Sequence, residues 1–523
     1  MRKVLLYICS VFILGGMTSC EDFLDKREDV GLTEDDIFRD YYSLRGFLDQ
    51  SFNQLENVMV MDNWENGRAF VGLFADEMAT TDNSSAVFTL HSGNWLSNAK
   101  SNKTFEIGNA GSTAISRSYK ALRINNRIIN DIDKAPLTPE QKNEILGQAY
   151  FYRSWFYFQI IKRYGGMPII DKVFEGGDDD IPRMTYHESH DWMMEDIQKA
   201  IYMLPDSWDD PNYGRPTKIA AMALKEWAQL FDASPLMQND LNSTENKGYD
   251  TERAKSAAKS AYEVIRYMDG SKSAPYPYGL ASKEEYTNVF YFKYPPVHQP
   301  EYIWVKRQFP NAANQNQKRT IRTFWQYEDL AFGSGPDGNS MCCPSLNIVN
   351  MFDKKGADGI YYPIDDPRSG YALDYDHKPF EDRDPRFYNN ILLPGTTWGH
   401  YADGRTYYIT TYKGGAAYQH MLTQKDCNKR MFTGFMCKKF MWPECNQYLE
   451  KNNPNCWWDY RFLTIYIRAS QIYLDYAEAL FEGCGSATAT IEGCPISAAE
   501  ASFRIDIDSI SFMSTSFISL SIP

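Results

Sequence analysis

The amino-acid sequence predicts a mainly helical protein with a loop-rich second half that bears short strands. Two observations carry that prediction. From residue 33 to about residue 265, apolar residues recur at three- and four-residue spacing between recognisable helix starts and stops. Beyond about residue 270 that period gives way to turn-rich segments. A third observation bears on use: aromatic content is 15%, with 12 Trp and 36 Tyr, which is more flat amphipathic surface than a core normally consumes.

The elements follow in order. Thr33-Glu34-Asp35-Asp36 reads as a capped helix start, after which Ile37, Tyr41, Leu44, Leu48 and Leu55 form one apolar face. Thr138-Pro139-Glu140-Gln141 is a capping box with proline at the first helical position. Its helix carries Ile145, Ala149, Tyr152, Phe156 and Ile160, widened by Phe151, Trp155 and Phe158, so both sides are expected to be buried; Gly165, Gly166 and Pro168 end it. Thr185-Tyr186-His187-Glu188 opens a helix that stops before Pro205, and Pro216-Thr217 opens another through Leu224 and Leu230. Paired helices suggest repeats, and Leu146-Gly147-Gln148-Ala149-Tyr150 echoes the L-G-x-x-Y of the tetratricopeptide unit. In the second half, Tyr276-Pro277-Tyr278, Tyr294-Pro295-Pro296 and residues 333–339 read as turns, residues 302–305 and 407–412 as strands, and residues 465–480 as a returning helix. Loops on a rigid helical scaffold are where binding usually sits.

The N-terminus carries an export signal: basic Arg2 and Lys3, an apolar run over residues 4–14, then Gly15-Gly16-Met17-Thr18-Ser19 before Cys20. The run is too short to span a bilayer, and the pattern looks like a bacterial lipoprotein signal, in which Cys20 is acylated and becomes the mature N-terminus. Glu21 and Asp22 resemble the surface-export tag of some Gram-negative lipoproteins. The chain holds 54 Lys+Arg against 68 Asp+Glu, a net charge of -14, or -16 once residues 1–19 are removed with two bases and no acids. That balance and the lack of any basic run exclude nucleic acid as an expected partner. Cys427, Cys437, Cys445 and Cys456 are spaced too widely for a zinc knuckle and read as buried thiols or one or two disulfides.

Five strings in this order resemble the SusD/RagB family. They are Cys20-Glu21-Asp22-Phe23-Leu24-Asp25; Ala149-Tyr150-Phe151-Tyr152-Arg153-Ser154 running into Arg163-Tyr164-Gly165-Gly166-Met167-Pro168; Gly214-Arg215-Pro216-Thr217-Lys218; Glu381-Asp382-Arg383-Asp384-Pro385-Arg386; and Tyr473-Leu474-Asp475-Tyr476-Ala477-Glu478-Ala479. The resemblance covers residues 20 to about 483. It implies an all-α body of tetratricopeptide-like helix pairs plus a loop-rich segment with the ligand site. It also implies a lipid-anchored protein on the outside of the outer membrane that delivers oligosaccharides or polysaccharides to a TonB-dependent transporter of the SusC type. The implied organisation is a signal peptide (1–19), an N-terminal helical region (20–270), a loop-rich ligand region with a late helix (271–483), and an atypical Ser/Ile-rich tail (484–523). The family pattern continues differently past the Tyr-rich helix, so this tail reads as a truncated or frame-altered C-terminus, or as a short strand in which Phe503, Ile505 and Ile507 alternate.

Sugar capture needs aromatic platforms for the C–H faces of pyranoses and planar polar groups for hydroxyl pairs. Trp95-Leu96-Ser97-Asn98 supplies both in a polar stretch, and Trp95 and Asn98 are similar to glycan-contacting positions of starch-binding family members. Arg322, Phe324, Trp325 and Tyr327 form a second cluster, with Trp325 as the opposing platform; Tyr294 and Trp398 are weaker candidates. For catalysis little is offered. His187 and His190 lack an H-E-x-x-H context, residues 353–358 carry two lysines against a calcium reading, and Asp382 and Asp384 are expected to be neutralised by Arg383 and Arg386. No catalytic residue, cofactor or metal is expected. Two other readings remain open: a surface glycoside hydrolase, which needs a carboxylate pair in a cleft, and a peptide-capturing or adhesin-like lipoprotein.

Overall fold

A computed structural model describes residues 33–55, 76–79, 114–174, 180–238, 247–273, 276–282, 284–290, 299–307, 343–373, 375–400, 406–415, 433–439 and 463–505. Eleven α-helices lie among them: α1 (Glu34–Phe38), α2 (Tyr41–Gln54), α3 (Ala114–Asp131), α4 (Pro139–Tyr164), α5 (Tyr186–Met203), α6 (Lys218–Ala233), α7 (Thr251–Gly270), α8 (Leu346–Met351), α9 (Pro385–Asn390), α10 (Ala469–Cys484) and α11 (Ala498–Ile505). The strands are β1 (Met78–Ala79), β2 (Tyr302–Arg307), β3 (Cys343–Pro344), β4 (Lys354–Lys355), β5 (Tyr361–Tyr362), β6 (Ile391–Leu392), β7 (Thr397–His400), β8 (Thr406–Tyr408), β9 (Met436–Cys437) and β10 (Leu463–Arg468). They form five antiparallel two-stranded ladders: β1 with β3, β2 with β10, β4 with β5, β6 with β9, and β7 with β8. The mainly helical architecture with few short strands is as expected.

Helices pack on their neighbours in succession: α2 on α3, α3 on α4, α4 on α5, α5 on α6, α6 on α7, α7 on α10 and α10 on α11. Nearest-neighbour stacking of this kind is the economy of helical repeats. Thr138 and Thr185 head α4 and α5 through capping boxes with Gln141 and Glu188, satisfying the orphan amides of the first turn. At Gly147 a Cβ would stand 3.1 Å from Met203 Cβ and 3.2 Å from Leu204, so the glycine of the L-G-x-x-Y string lets α4 approach the end of α5. One continuous apolar core runs from Ile37 to Ala501, and α4 crosses it with Phe151, Tyr152, Trp155, Phe156, Tyr157 and Phe158 all buried. A smaller core of Val349, Phe387 and Ile391 sits under the loop-rich part.

Three expectations need correction. The first helix is two: α1 ends after Phe38, and the Asp40 side chain accepts from Ser43 N to start α2. A short polar side chain that bonds forward along the backbone favours a fresh N-cap over continued helix. Residues 463–468 are strand, paired with 302–307, and the late helix begins only at Ala469. Finally, Phe503 and Ile505 lie in α11, not in a strand. Ser497 and Glu500 form a reciprocal S-x-x-E cap (Ser497 N to Glu500 Oε2 2.7 Å, Glu500 N to Ser497 Oγ 3.2 Å), and Ala498 and Ala501 bury against α10.

Candidate functional site

The residues that join the family strings mostly hold the scaffold. Arg153 on α4 forks onto Asp196 of α5 (Nε to Oδ2 2.5 Å, Nη2 to Oδ1 2.8 Å) and donates to Asn126 of α3 at 2.9 Å. Arg215 forks onto Asp49 of α2 at 2.7 and 2.9 Å and reaches Gln148 of α4 at 3.0 Å. Tyr157 OH donates to the carbonyls of Met167 and Pro168, which fixes the Gly165-Gly166-Met167-Pro168 turn. Glu301, 3% exposed, accepts from Ser470 N at the start of α10 and from Ala281 N, an acid at the positive end of a helix.

Cys20, Trp95, Asn98, Tyr294, Arg322, Trp325 and Tyr327 lie outside the described residues, as do Cys427, Cys445 and Cys456; Trp398 belongs to β7. What the structure does fix is where the segments carrying these candidates leave the scaffold and return to it. The segment with Trp95 and Asn98 departs after Ala79, and the segment with Arg322, Trp325 and Tyr327 returns before Cys343. Those two points are zipped together: Ala79 pairs with Cys343, Met78 with Pro344, and Ser345 N donates to Glu77 O at 2.9 Å. The first segment returns at α3, and the second departs after Arg307. The second departure lies next to Lys306, on whose ammonium Arg117, in the first turns of α3, acts electrostatically. Lys306 Nζ donates to Leu55 O at 2.8 Å, its ammonium stands 5.4 Å from the Phe52 ring, and burial pushes its pKa down to about 8. The two segments therefore share one root, the β1–β3 ladder. Tyr294's segment is rooted beside them: Lys439 stands 4.3 Å from the ring of Phe290, feels Glu77 next to β1, and is pushed down to about 8 by burial.

The remaining candidates resolve as structure. Arg383, 1% exposed, donates to the carbonyls of Val349, Phe352 and Pro379 and to no carboxylate, contrary to the expectation that it neutralises Asp382 and Asp384. Asp384 caps α9 and pairs with Arg386 at 2.5 Å, while Asp382 is exposed with left-handed backbone (φ 55). Residues 353–358 are tied into the β4–β5 hairpin, where Asp358 accepts from Tyr362 OH and Ile360 N. His187 and His190 both face the buried Asp232 of α6, at 2.7 and 3.5 Å. No group of three or more His, Cys, Asp or Glu able to hold a metal occurs among the described residues, and Cys484 and Cys494 are free thiols.

Two family models match the chain, one described as starch-binding associating with the outer membrane over residues 22–226, the other as the SusD family over residues 300–492. The chain belongs to the SusD/RagB family. Among solved structures, this family member is similar to a SusD-like protein from Bacteroides fragilis (20% identity, 93% of this chain and 84% of that one, TM-score 0.65). It is similar also to a SusD-like carbohydrate binding protein from the same organism (18%, 92% and 82%, TM-score 0.62). A third likeness is to a laminarin binding SusD-like protein (16%, 92% and 87%, TM-score 0.53). At these identities the likeness is one of fold. The comparison with curated proteins gives no match. The SusD/RagB assignment carries an association with the outer membrane, and no helix among the described residues is long and apolar enough to cross a bilayer.

Proposed function

We propose that this SusD/RagB chain captures oligosaccharides at the cell surface and delivers them to a TonB-dependent transporter of the SusC type, without breaking a bond. Lipid on Cys20 is its anchor, facing it outward from the outer membrane. The observation that carries the reading is the shared rooting of the two aromatic segments: a ligand platform made by Trp95 and Asn98 on one and Arg322, Trp325 and Tyr327 on the other needs both segments held at a common point, and the β1–β3 ladder supplies one. Tyr294 joins from its neighbouring root. The acidic family string weighs against hydrolysis, since Asp384 is committed to Arg386 and a helix cap while its neighbour Asp382 points to solvent as an exposed residue.

Affinity-gel retardation across plant, host and microbial polysaccharides tests the proposal. One glycan class should retard the protein, Trp95→Ala and Trp325→Ala should each weaken retention by about 1 kcal/mol or more, and no reducing sugar should be released. Retardation by no glycan, together with peptide binding, would replace it with the peptide-capturing reading. Sugar release abolished by Asp384→Asn would replace it with the hydrolase.

A further inference from the structure

A cavity of about 410 Å³ opens on the helical body between α1, α2 and α3. Its lining is periodic on all three elements: Glu34 and Ile37 on α1; Phe47, Gln50 and Gln54 on α2; Lys120, Arg123, Ile124 and Arg127 on α3. Spacings of three, four and seven place each set on one helical face, so this is a wall built by packing rather than a gap between loops. Its volume falls in the range of small-molecule sites. Three cations against one carboxylate make it a basic recess in a chain of net charge -14. The carboxylate is already engaged: Glu34 takes Arg127 Nη2 at 3.1 Å on Oε2 and Lys134 on Oε1. That pairing holds the Arg127 guanidinium by one edge and leaves its Nε buried with no hydrogen-bond partner. That Nε has no accessible surface and so does not face the recess.

We propose that this recess is a second saccharide site, for a pyranose bearing a carboxylate such as a uronate. Arg123, exposed at the rim, supplies a planar fork that matches a carboxylate bidentately, and Arg127 and Lys120 add positive charge. Gln50 and Gln54 offer amides to ring hydroxyls, and half-buried Phe47 offers an apolar face to the C–H side of the ring. Neutral sugars satisfy only the second half of this set and small acids only the first. The site shares no residue with the aromatic segments of the capture site.

Titration calorimetry of the full chain with galacturonate, glucose and acetate tests it. Galacturonate should bind saturably, at least tenfold more tightly than glucose or acetate, and more weakly at high salt. Arg123→Ala, at an exposed helical position where alanine preserves the fold, should weaken it at least tenfold, and Phe47→Leu should weaken it several-fold, while Trp95→Ala leaves it unchanged. Three results would overturn the proposal: no saturable heat with galacturonate, acetate binding as tightly, or a galacturonate affinity lost in Trp95→Ala but kept in Arg123→Ala. Neutral-glycan retention in affinity gels is the independent readout of the capture site, so failure of one does not mask failure of the other.

Discussion

Trp304 of β2 meets Trp155 of α4 edge to face, with ring centroids 4.7 Å apart at 79°. Phe151 lies against the same indole at 4.8 Å and Tyr466 of β10 at 4.5 Å, and Trp304 Nε1 donates to Gly214 O. The β2–β10 ladder of the loop-rich half is thereby fastened into the helical core, and β2 leads directly to Arg307, where the segment carrying Arg322, Trp325 and Tyr327 departs. Trp304→Ala should cost about 3–5 kcal/mol in urea unfolding, the usual loss for a truncated core aromatic. Trp304→Phe should cost less, because the edge contacts survive and only the Gly214 hydrogen bond and part of the volume are lost.

Arg153 and Asp196 are 5% and 2% exposed, and the guanidinium is flanked by the rings of Tyr150 at 5.5 Å and Trp192 at 5.2 Å. Removing Arg153 strips Asp196 of both short hydrogen bonds and leaves it, in the core, with only the more exposed Lys199 at 3.6 Å. Arg153→Met should destabilise by about 3–5 kcal/mol, and Arg153→Met with Asp196→Leu should recover a large part of that loss. A double-mutant cycle by chemical denaturation checks both numbers; equal losses in the single and double variants would show that packing, and not stranded charge, sets the cost.

The helices were legible where their signals are local. The boxes at Thr138/Gln141 and Thr185/Glu188 stand three residues apart in the sequence and in the fold, and need no tertiary information. Ser497-Ala498-Ala499-Glu500 carries the same signal, which would have identified α11 ahead of the alternation of Phe503 and Ile505. Residues 463–468 illustrate the opposite case. Leu463, Ile465 and Ile467 suit either element, and the choice is made by pairing with residues 302–307, a contact too distant in sequence for local propensity to report. The site was legible only as residue types in loops. That Ala79 meets Cys343 is long-range information that no local pattern contains.

Ser345 offers a test of the shared root that spares the core. Its N–H donates to Glu77 O, its hydroxyl caps α8 at Ile348 N, and its φ of -73° already suits proline. Ser345→Pro therefore removes that hydrogen bond, the hydroxyl's own hydrogen bond to Asp76 O and the cap without backbone strain, at about 1–3 kcal/mol. Polysaccharide retention should fall in affinity gels at a temperature where circular dichroism shows the helices intact. Retention equal to wild type would mean that the ladder is not needed to hold the site.

Glu226 of α6 is 1% exposed, and burial, followed by the charge of Asp475, raises its pKa well above the usual carboxylate range. Across the interface, burial and the charge of Glu478 push Asp475 of α10 up to about 7. Glu478 itself is raised by burial while accepting from Tyr249 OH at 2.7 Å, and Glu482 is raised by burial and by Glu478; Gln471 donates to Asp475 at 3.2 Å. In the unfolded chain these carboxyls release their protons near pH 4. Between about pH 4 and 7 the folded state thus holds more protons than the unfolded one, so stability falls as pH rises through that window. Carboxylates with lowered values act elsewhere: Asp366, held down to about 2 by its hydrogen bonds to Arg368, titrates in a more acid range. Thermal unfolding should accordingly give a lower Tm at pH 8 than at pH 5. Asp475→Asn and Glu226→Gln should raise the pH 8 value by about 2 °C or more and flatten the slope. A wild-type Tm that climbs steadily from pH 5 to 8, or a slope unchanged by both substitutions, would mean that these carboxyls are charged in the fold and that burial has not shifted them as described.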